Sequence, residues 1–266
     1  MVTYRELVGA FRRLGLEANS KVVAHASLSA FGEVVGGAET VVGALVGSFE
    51  SVVMPTFTLR TMVTPQTGPA DNAMAYGIDP ERNAVAEIFR PDLPADRSMG
   101  VVAETLRLHP EANRSLHPIV SFAGVDAEAF LETQLIEEPW EPLARLAEAD
   151  ADVLLLGVDQ RANVSLHYAE ALAGRKGYLR WALTPGGVVE CPGWPGCSDG
   201  FNSIGHRLSG IRRRAEVGAA VIEAVPLRDL LHLTTGWLRE DPLALLCDRP
   251  NCPRCSLVRA SVRVRK

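Results

Sequence analysis

Apolar residues recur along the chain with two spacings, one typical of helices and one typical of buried strands. Residues 4–15 carry apolar side chains at helical spacing, and the short apolar run at 21–25 predicts a buried strand. A helix that ends near residue 49 and a second strand at 51–54 follow. A strand, a helix and a strand at this spacing form a βαβ unit. The pattern therefore predicts an α/β fold whose sheet is largely parallel or mixed and carries helices on its faces.

The rest of the chain continues in the same way after a long polar stretch. Residues 56–83 are rich in Thr, Pro, Gly, Asn and Asp, and a loop of this length is usually either functional or disordered. The buried strand at 152–157 is the clearest in the chain, and it leads through a turn into a helix that begins near Ser165. The other predicted elements are helices at 84–90, 99–108, 126–133, 141–149 and 226–246, a strand at 119–123, and a strand-rich region at 177–223 with a loop at 191–198.

The helix that begins near Ser165 carries a histidine and a carboxylate at one-turn spacing. His167 and Glu170 are three residues apart, so their side chains lie on one face and can touch. A carboxylate beside an imidazole fixes its tautomer, orients the ring and raises its basicity. The pair also follows the carboxyl end of a buried strand, where open α/β sheets bind ligands. On residue types alone an ion pair on the helix surface is the commoner explanation, so the pair is a candidate general base and no more.

The composition limits the classes of partner. The 266 residues are 47% apolar, which is ample for one sizeable core, and the net charge of −5 argues against nucleic acid as a main partner. The basic runs at 212–214 and 259–266 are interpreted as solvated faces. No apolar run approaches the roughly 20 residues that cross a bilayer, and the N-terminus lacks a signal-peptide core. We therefore expect a cytoplasmic protein with no membrane partner.

Four segments, spread over most of the chain, carry blocks of sequence that belong together. They are residues 22–40 (VVAHASLSAFG and VGGAET), 54–58 (MPTFT), 99–118 (MGVVAET and RSLHP) and 157–170 (GVDQRANVSLHYAE). In this order they resemble the signature blocks of the aminoglycoside 3-N-acetyltransferase family. Four ordered blocks are far more specific than any one motif, and they favour a catalytic role for His167 and Glu170 over a surface ion pair.

The resemblance implies a fold and a reaction. The fold is a three-layer α/β/α arrangement, distinct from the GNAT acetyltransferase fold. The donor is acetyl-CoA, and the acceptor is a cationic small-molecule amine, classically on a 2-deoxystreptamine ring. By position, His167 is the general base and Glu170 orients it. The residues implied to line the CoA channel are Ser27, Leu28, Ser29, Phe31, Thr58, Arg114, Ser115 and His117.

The acceptor and the transition state need further groups. An ammonium ion cannot attack a thioester, so a base must take the proton of the amine as it attacks, and the thioester oxygen then needs fixed donors. Ser165 or the Ser27 loop are the candidate donors. Asp71, Asp159 and Asp199 are candidate contacts for the ammonium groups of the acceptor, although each also suits a plain loop or cap residue. His25, at a strand end, is expected to be a buried, hydrogen-bonded histidine.

The five cysteines divide into two groups. Cys247, Cys252 and Cys255 form a C-x4-C-x2-C pattern near the C-terminus, and Cys191 and Cys197 lie upstream. We predict a structural zinc ion held by Cys197, Cys247, Cys252 and Cys255, since structural sites favour four thiolates; free thiols or a single disulfide are the alternatives. Residues 1–246 are then an acetyltransferase domain, and residues 247–266 a zinc-knuckle-like tail packed on it.

Three functions are compatible with the sequence. The first is acetylation of the 3-amino group of an aminoglycoside, as in antibiotic resistance. The second is the same chemistry on another amine in a biosynthetic pathway. The third is a non-catalytic, zinc-stapled CoA-binding module, against which the presence of both His167 and Glu170 argues.

Overall fold

A computed structural model describes residues 1–77 and 80–264 of the chain. Parts of the predicted loop at 56–83 and of the predicted tail at 247–266 therefore lie outside the described residues. The helices are α1 (Tyr4–Arg13), α2 (Gly37–Val46), α3 (Pro80–Ala84), α4 (Gly100–Arg107), α5 (Glu128–Leu131), α6 (Glu141–Glu148), α7 (Ser165–Leu172), α8 (Leu227–Glu240) and α9 (Pro253–Val264). The strands are β1 (Lys21–Ala26), β2 (Ser51–Pro55), β3 (Met62–Val63), β4 (Ala112–Arg114), β5 (Phe122–Val125), β6 (Asp152–Leu156), β7 (Tyr178–Thr184), β8 (Gly187–Trp194), β9 (Arg213–Val217) and β10 (Ala220–Pro226).

A mixed seven-stranded sheet runs through the centre of the molecule in the order β4-β5-β2-β1-β6-β10-β9. The strands β2, β1 and β6 are parallel neighbours, and the outer strands on both sides pair antiparallel. A smaller sheet, β3-β7-β8, packs beside it. Because the carboxyl ends of β1, β2 and β6 meet at one edge, the segments that follow these three strands are brought together there.

Helices cover both faces of the large sheet. On one face, α1, α2 and α4 pack against alternate residues of the central strands, such as Val22, Leu154 and Ile222. On the other face, α6, α7 and α8 pack against the residues between them, such as Val23 and Leu155. The predicted three-layer α/β/α core with a mixed sheet is confirmed, and the cysteine-rich segment follows it.

The helix predicted at 84–90 is wrong. α3 ends at Ala84, and the chain then runs without regular structure to a short turn at 97–99. Pro91, directly after this segment, disfavours the helical region for Arg90. The backbone N–H of Phe89 instead donates to the carbonyl of Leu183 (2.8 Å), which fixes this segment to β7 of the small sheet.

Other predicted elements are displaced or shortened. The strand predicted at 119–123 begins later, as β5 at Phe122. The backbone N–H groups of Ile119 and Val120 donate to the ring of His117 instead of to a neighbouring strand. The helix predicted at 226–246 ends as α8 at Glu240, since the next residue precedes Pro242 and is pushed out of the helical region. The loop predicted at 191–198 is shorter, because β8 continues to Trp194. Within the described ranges, no helix is both long and apolar enough to span a membrane.

Candidate active site

The turn after β6 places α7 at the carboxyl edge of the central strands. Gly157 ends β6 with a φ of +67°, and a Cβ atom at this position would lie 2.5 Å from the Cβ of Ala30. Only glycine therefore lets the loops after β1 and β6 pack this closely. At the start of α7, the backbone N–H of Val164 donates to Nε2 of His25 (3.2 Å). β1 and β6 thus fix the position from which α7 projects its side chains.

His167 and Glu170 contact each other on α7 as their spacing predicts. Nδ1 of His167 lies 2.7 Å from Oε2 of Glu170, and their side chains are only 9% and 6% exposed. The imidazole ring also packs between Phe201, at 4.7 Å between ring centroids, and Trp140, at 6.3 Å. The pair is therefore a shielded, oriented dyad and differs from the solvated surface ion pair that was the alternative explanation. The ring atom Nε2 is the one that Glu170 leaves available.

The dyad lines a cavity of about 300 Å³. Its walls come from the segment before α6, from α7, from residues 193–196 at the end of β8, and from α9. Gly196 lies against the dyad, because a Cβ atom there would be 3.5 Å from Oε2 of Glu170. Tyr178 also lines the cavity, and burial raises its pKa to about 12, so its hydroxyl stays neutral and donates to the carbonyl of Arg254.

Carboxylates at the cavity were missed by the sequence analysis. Glu137, Glu138 and Glu141 all line the cavity. Glu141 forms an ion pair with Arg145 (2.7 Å), and Glu137 and Glu138 are exposed to solvent. The available signal is the group of three glutamates around Trp140, at the start of α6. Such a group also suits a plain helix start, where acidic residues are common for local reasons.

The residues predicted to line a CoA channel are not among those that line this cavity, and they fall into two groups. Ser27, Leu28 and Ser29 form a partly accessible loop after β1, with the two serine hydroxyls 3.1 Å apart. The other five have side chains engaged within the protein: Phe31, Thr58, Ser115 and His117 are buried, and Arg114 donates to the carbonyls of Thr56, Pro91 and Leu93 and to the hydroxyl of Ser121. In the structure, this second group supports the loops that follow the central strands.

The predicted acidic contacts are each occupied by a cation of the protein. Asp71 pairs with Lys176, Asp159 with Arg161, and Asp199 with Arg249. The Lys176 ammonium lowers the pKa of Asp71, and the hydrogen bond from Arg161 does the same for Asp159. None of the three aspartates lines the cavity, although Lys176 does.

Two further histidines, His25 and His117, are buried and neutral. His25 accepts a backbone N–H at Nε2, and burial lowers its pKa to about 3. His117 accepts the backbone N–H groups of Ile119 and Val120 at Nδ1, and burial lowers its pKa to about 4. Each ring therefore acts as a backbone cap. The prediction for His25 as a buried, hydrogen-bonded residue agrees with these contacts.

Acid should destabilise the protein through these two rings. Their pKa values are lowered to about 3 and about 4 in the fold, so the unfolded chain binds more protons below pH ~6.5 and stability falls as the pH falls from there toward 4. At pH ~5 each ring should cost about 2 kcal/mol of the free energy of unfolding. Urea unfolding at about pH 7.5 and about pH 5 measures this loss. His25→Gln and His117→Asn keep an acceptor near the position of the ring nitrogen, and each should remove about half of this pH-dependent loss of stability. A pH dependence equal to that of the parent would show that the two rings are not its cause.

Four cysteines meet beside the cavity. The Sγ atoms of Cys197, Cys247, Cys252 and Cys255 all lie within 4.8 Å of one another, and all four side chains are buried. Cys197 and Cys255 also line the cavity. The fifth cysteine, Cys191, lies in β8 outside this cluster, and burial raises its pKa to about 12. The sequence pattern grouped these four residues correctly.

The donor set suits a tetrahedral thiophilic ion. Four buried sulfur atoms from two chain segments converge without a competing carboxylate, as in closed structural zinc sites. Arg249 approaches the cluster from outside, with Nη2 3.7 Å from Sγ of Cys197. From there its guanidinium can donate a hydrogen bond to a metal-bound sulfur, as outer groups do for metal ligands in general.

Comparison with known proteins decides the family. The family model described as aminoglycoside 3-N-acetyltransferase matches residues 23–239. The chain belongs to this family. Aminoglycoside N(3)-acetyltransferase VII of Streptomyces paromomycinus is 34% identical to it, over 90% of this chain and 92% of that protein. By this membership the chain is an acyltransferase, and the resemblance seen in the sequence blocks is confirmed.

Solved structures of aminoglycoside acetyltransferases share the fold. The apoenzyme of AAC(3)-IVa superposes with a TM-score of 0.79 at 26% identity, covering 98% of both chains, and a variant of that enzyme in complex with a gentamicin gives 0.76. The binary complex of AAC-IIIb with CoASH gives 0.73 at 25% identity, covering 90% of this chain and 96% of that one. The three-layer core described above is thus the fold of this family.

Proposed function

We propose that this chain transfers the acetyl group of acetyl-CoA to the 3-amino group of a 2-deoxystreptamine aminoglycoside, and so confers resistance to it. One observation carries the proposal: the His167–Glu170 dyad, at 2.7 Å, faces a cavity large enough for part of a small molecule. Family membership supplies the reaction class, and the relatives bound to CoASH and to a gentamicin support the two substrates.

The dyad provides the base that the reaction needs. Glu170 accepts a hydrogen bond from the N–H group at Nδ1 of His167, which leaves the lone pair of Nε2 free. The neutral amine of the acceptor attacks the thioester carbonyl carbon, and a C–N bond forms as Nε2 takes the proton from nitrogen. The C–S bond then breaks, and the CoA sulfur leaves and receives that proton from the imidazolium. A base in this role contributes about 10²–10⁴-fold to the rate.

Two exposed carboxylates, Glu137 and Glu138, line the cavity beside the dyad, and they favour a cationic acceptor. An aminoglycoside carries several ammonium groups, and carboxylates at a cavity raise the local concentration of such a ligand. We therefore assign acceptor binding to Glu137 and Glu138, in preference to Asp71, Asp159 and Asp199, whose charges are met by protein cations. Glu141 is likewise paired, with Arg145.

The donor binds, in this proposal, at the loop after β1. Ser27, Leu28 and Ser29 are the accessible members of the predicted CoA set, and they lie at the carboxyl edge of the parallel strands. The hydroxyl of Ser165 is fully buried and has no hydrogen-bond partner among the described residues, so the Ser27 loop is the better candidate for the donors that stabilise the thioester oxygen. The deeper residues Thr58, Arg114, Ser115 and His117 then act as supports of the channel wall.

The four-cysteine cluster has a structural role in this account. The cluster would hold a zinc ion through Cys197, Cys247, Cys252 and Cys255. Such an ion joins the segment that follows β8 to the C-terminal segment 247–266. All four positions are filled by protein sulfur, so such an ion has no open site for a substrate and takes no part in acetyl transfer.

A thiol-release assay tests the proposed function. The chain should release CoA from acetyl-CoA in the presence of gentamicin, apramycin or kanamycin, and mass spectrometry should place the acetyl group on the 3-amino nitrogen. Simple monoamines should be much poorer acceptors, since they lack the additional ammonium groups that the glutamates bind. Turnover with simple amines alone would favour a biosynthetic acceptor, and CoA binding without turnover of any amine would favour the non-catalytic alternative.

A further inference from the structure

Arg175 connects the dyad to the chain segment that leads into the cysteine cluster. It follows α7, and its side chain is only 8% exposed. Nη1 lies 2.5 Å from Oε1 of Glu170, while Nη2 donates to the carbonyls of Pro242 (2.7 Å) and Ala244 (2.8 Å). A single guanidinium therefore contacts the carboxylate of the dyad and two carbonyls on the approach to Cys247.

The two oxygens of Glu170 are divided between its partners. Oε1 accepts from Arg175, and Oε2 faces Nδ1 of His167. A carboxylate paired with a guanidinium can only accept hydrogen bonds, whereas a protonated carboxyl group could donate. The ion pair with Arg175 thus favours Nδ1 as the donor, and in the neutral imidazole the other ring nitrogen, Nε2, is then the one without a proton.

The burial of the group makes this constraint strong. The side chains of His167, Glu170 and Arg175 are all less than 10% exposed, so an unpaired charge here would be costly. With Arg175 present, the guanidinium and the carboxylate balance each other beside a neutral imidazole. Without it, the carboxylate would need a proton of its own or an imidazolium as its partner, and neither arrangement leaves a free base.

Arg175 is anchored on a buried turn. Ala244, whose carbonyl accepts from Arg175, and Leu245 after it are both buried. Leu245 has a φ of +63°, which leucine rarely adopts outside a tightly packed turn. The following residue, Leu246, lines the cavity, and Cys247 joins the four-cysteine cluster.

We propose that Arg175 is a positioning residue for the reaction: it holds Glu170 as a hydrogen-bond acceptor and thereby sets the tautomer of His167 that has a free Nε2. This inference rests on the proposed function, since it assumes that His167 is the base. In serine proteases the wrong imidazole tautomer lowers kcat by about 10⁴-fold. Arg175 contacts Glu170 and not the imidazole itself, so we expect its loss to lower kcat by roughly 10- to 100-fold.

The kinetic test compares three variants with the parent chain. Arg175→Met should lower kcat with little change in the KM for the aminoglycoside, and Arg175→Lys should recover part of the loss, since lysine keeps the charge without the planar fork. Arg228→Met is the matched control: Arg228 also pairs with a carboxylate, Asp150, and donates to the carbonyls of Ala147 and Glu148, but it lies away from the cavity. Equal losses of kcat in Arg175→Met and Arg228→Met, or no loss in Arg175→Met, would overturn the proposal.

A spectroscopic test separates this inference from the proposed function. An imidazole N–H bonded to a carboxylate gives a strongly downfield proton resonance, which the parent should show and His167→Ala and Glu170→Gln should lack. In Arg175→Met the resonance should change: a protonated Glu170 removes it, and an imidazolium partner moves it further downfield. It should stay closer to that of the parent in Arg175→Lys and be unchanged in Arg228→Met. An unchanged resonance in a folded Arg175 variant would overturn the role of Arg175 even if acetyl transfer is confirmed; a chain that shows the expected pattern and acetylates no amine would refute the proposed function and not the Arg175 contact.

Discussion

His167→Ala is expected to lower kcat for acetyl transfer by at least about 100-fold, because it removes the group that takes the proton from the attacking amine. Binding of the aminoglycoside should change little, since the glutamates that line the cavity remain. The measurement is the initial rate of CoA release at saturating acetyl-CoA and gentamicin. Glu170→Gln should lower kcat as well, because an amide can donate a hydrogen bond to Nδ1 and so permit the wrong tautomer.

The control for this prediction is a histidine elsewhere in the fold. His232 is exposed on α8 and does not line the cavity, so His232→Ala should keep the parent kcat. Thermal unfolding of both variants checks that each chain is folded. A folded His167→Ala chain with the turnover of the parent would show that another group accepts the proton.

The second large effect is expected from the four-cysteine cluster. Cys252→Ser combined with Cys255→Ser removes two of the four sulfur atoms and should abolish the equimolar zinc that elemental analysis is expected to find in the parent. Metal bound about 1,000-fold above its Kd stabilises a fold by about 4 kcal/mol, which corresponds to a Tm lower by roughly 8–16 °C for a chain of this size. Metal removal by a chelator should lower the Tm of the parent in the same direction.

Cys191→Ala provides the matched control, since Cys191 is a buried cysteine outside the cluster. It should keep one zinc per chain. The loss of zinc should also weaken acceptor binding, because Cys197 and Cys255 line the cavity and Gly196 lies against Glu170. A parent chain that contains no zinc after purification in metal-replete medium, with a Tm insensitive to the chelator, would end the metal proposal.

Much of the fold could be predicted because its signals are local. Short apolar runs such as 152–157 and helices with one apolar face follow the periods of strands and helices closely. The misplaced elements depend instead on specific hydrogen bonds: the backbone N–H of Phe89 donates to Leu183, far along the chain, and the nearby ring of His117 organises the turn before β5. Neither contact leaves a trace in the local pattern of apolar residues.

The site was predictable in proportion to how local its geometry is. The contact of His167 with Glu170 follows from their spacing of one helical turn, and the four cysteines can be recognised as metal ligands by residue type. Arg175 and the glutamates at the start of α6 reach the cavity only because separate elements pack together there. Asp71, Asp159 and Asp199 were chosen by charge alone, and the cations that meet them come from other parts of the chain or from a neighbouring residue.

The central claim is that one nitrogen atom, Nε2 of His167, receives the proton of the acceptor amine. A crystal structure of the chain with both CoA and gentamicin bound tests it most directly. We predict that the 3-amino nitrogen lies within about 3.2 Å of Nε2 of His167, and that the CoA sulfur lies close to the 3-amino nitrogen. An ordered complex in which the 3-amino group contacts a different base, or lies beyond the reach of His167 while CoA is in place, would contradict the account.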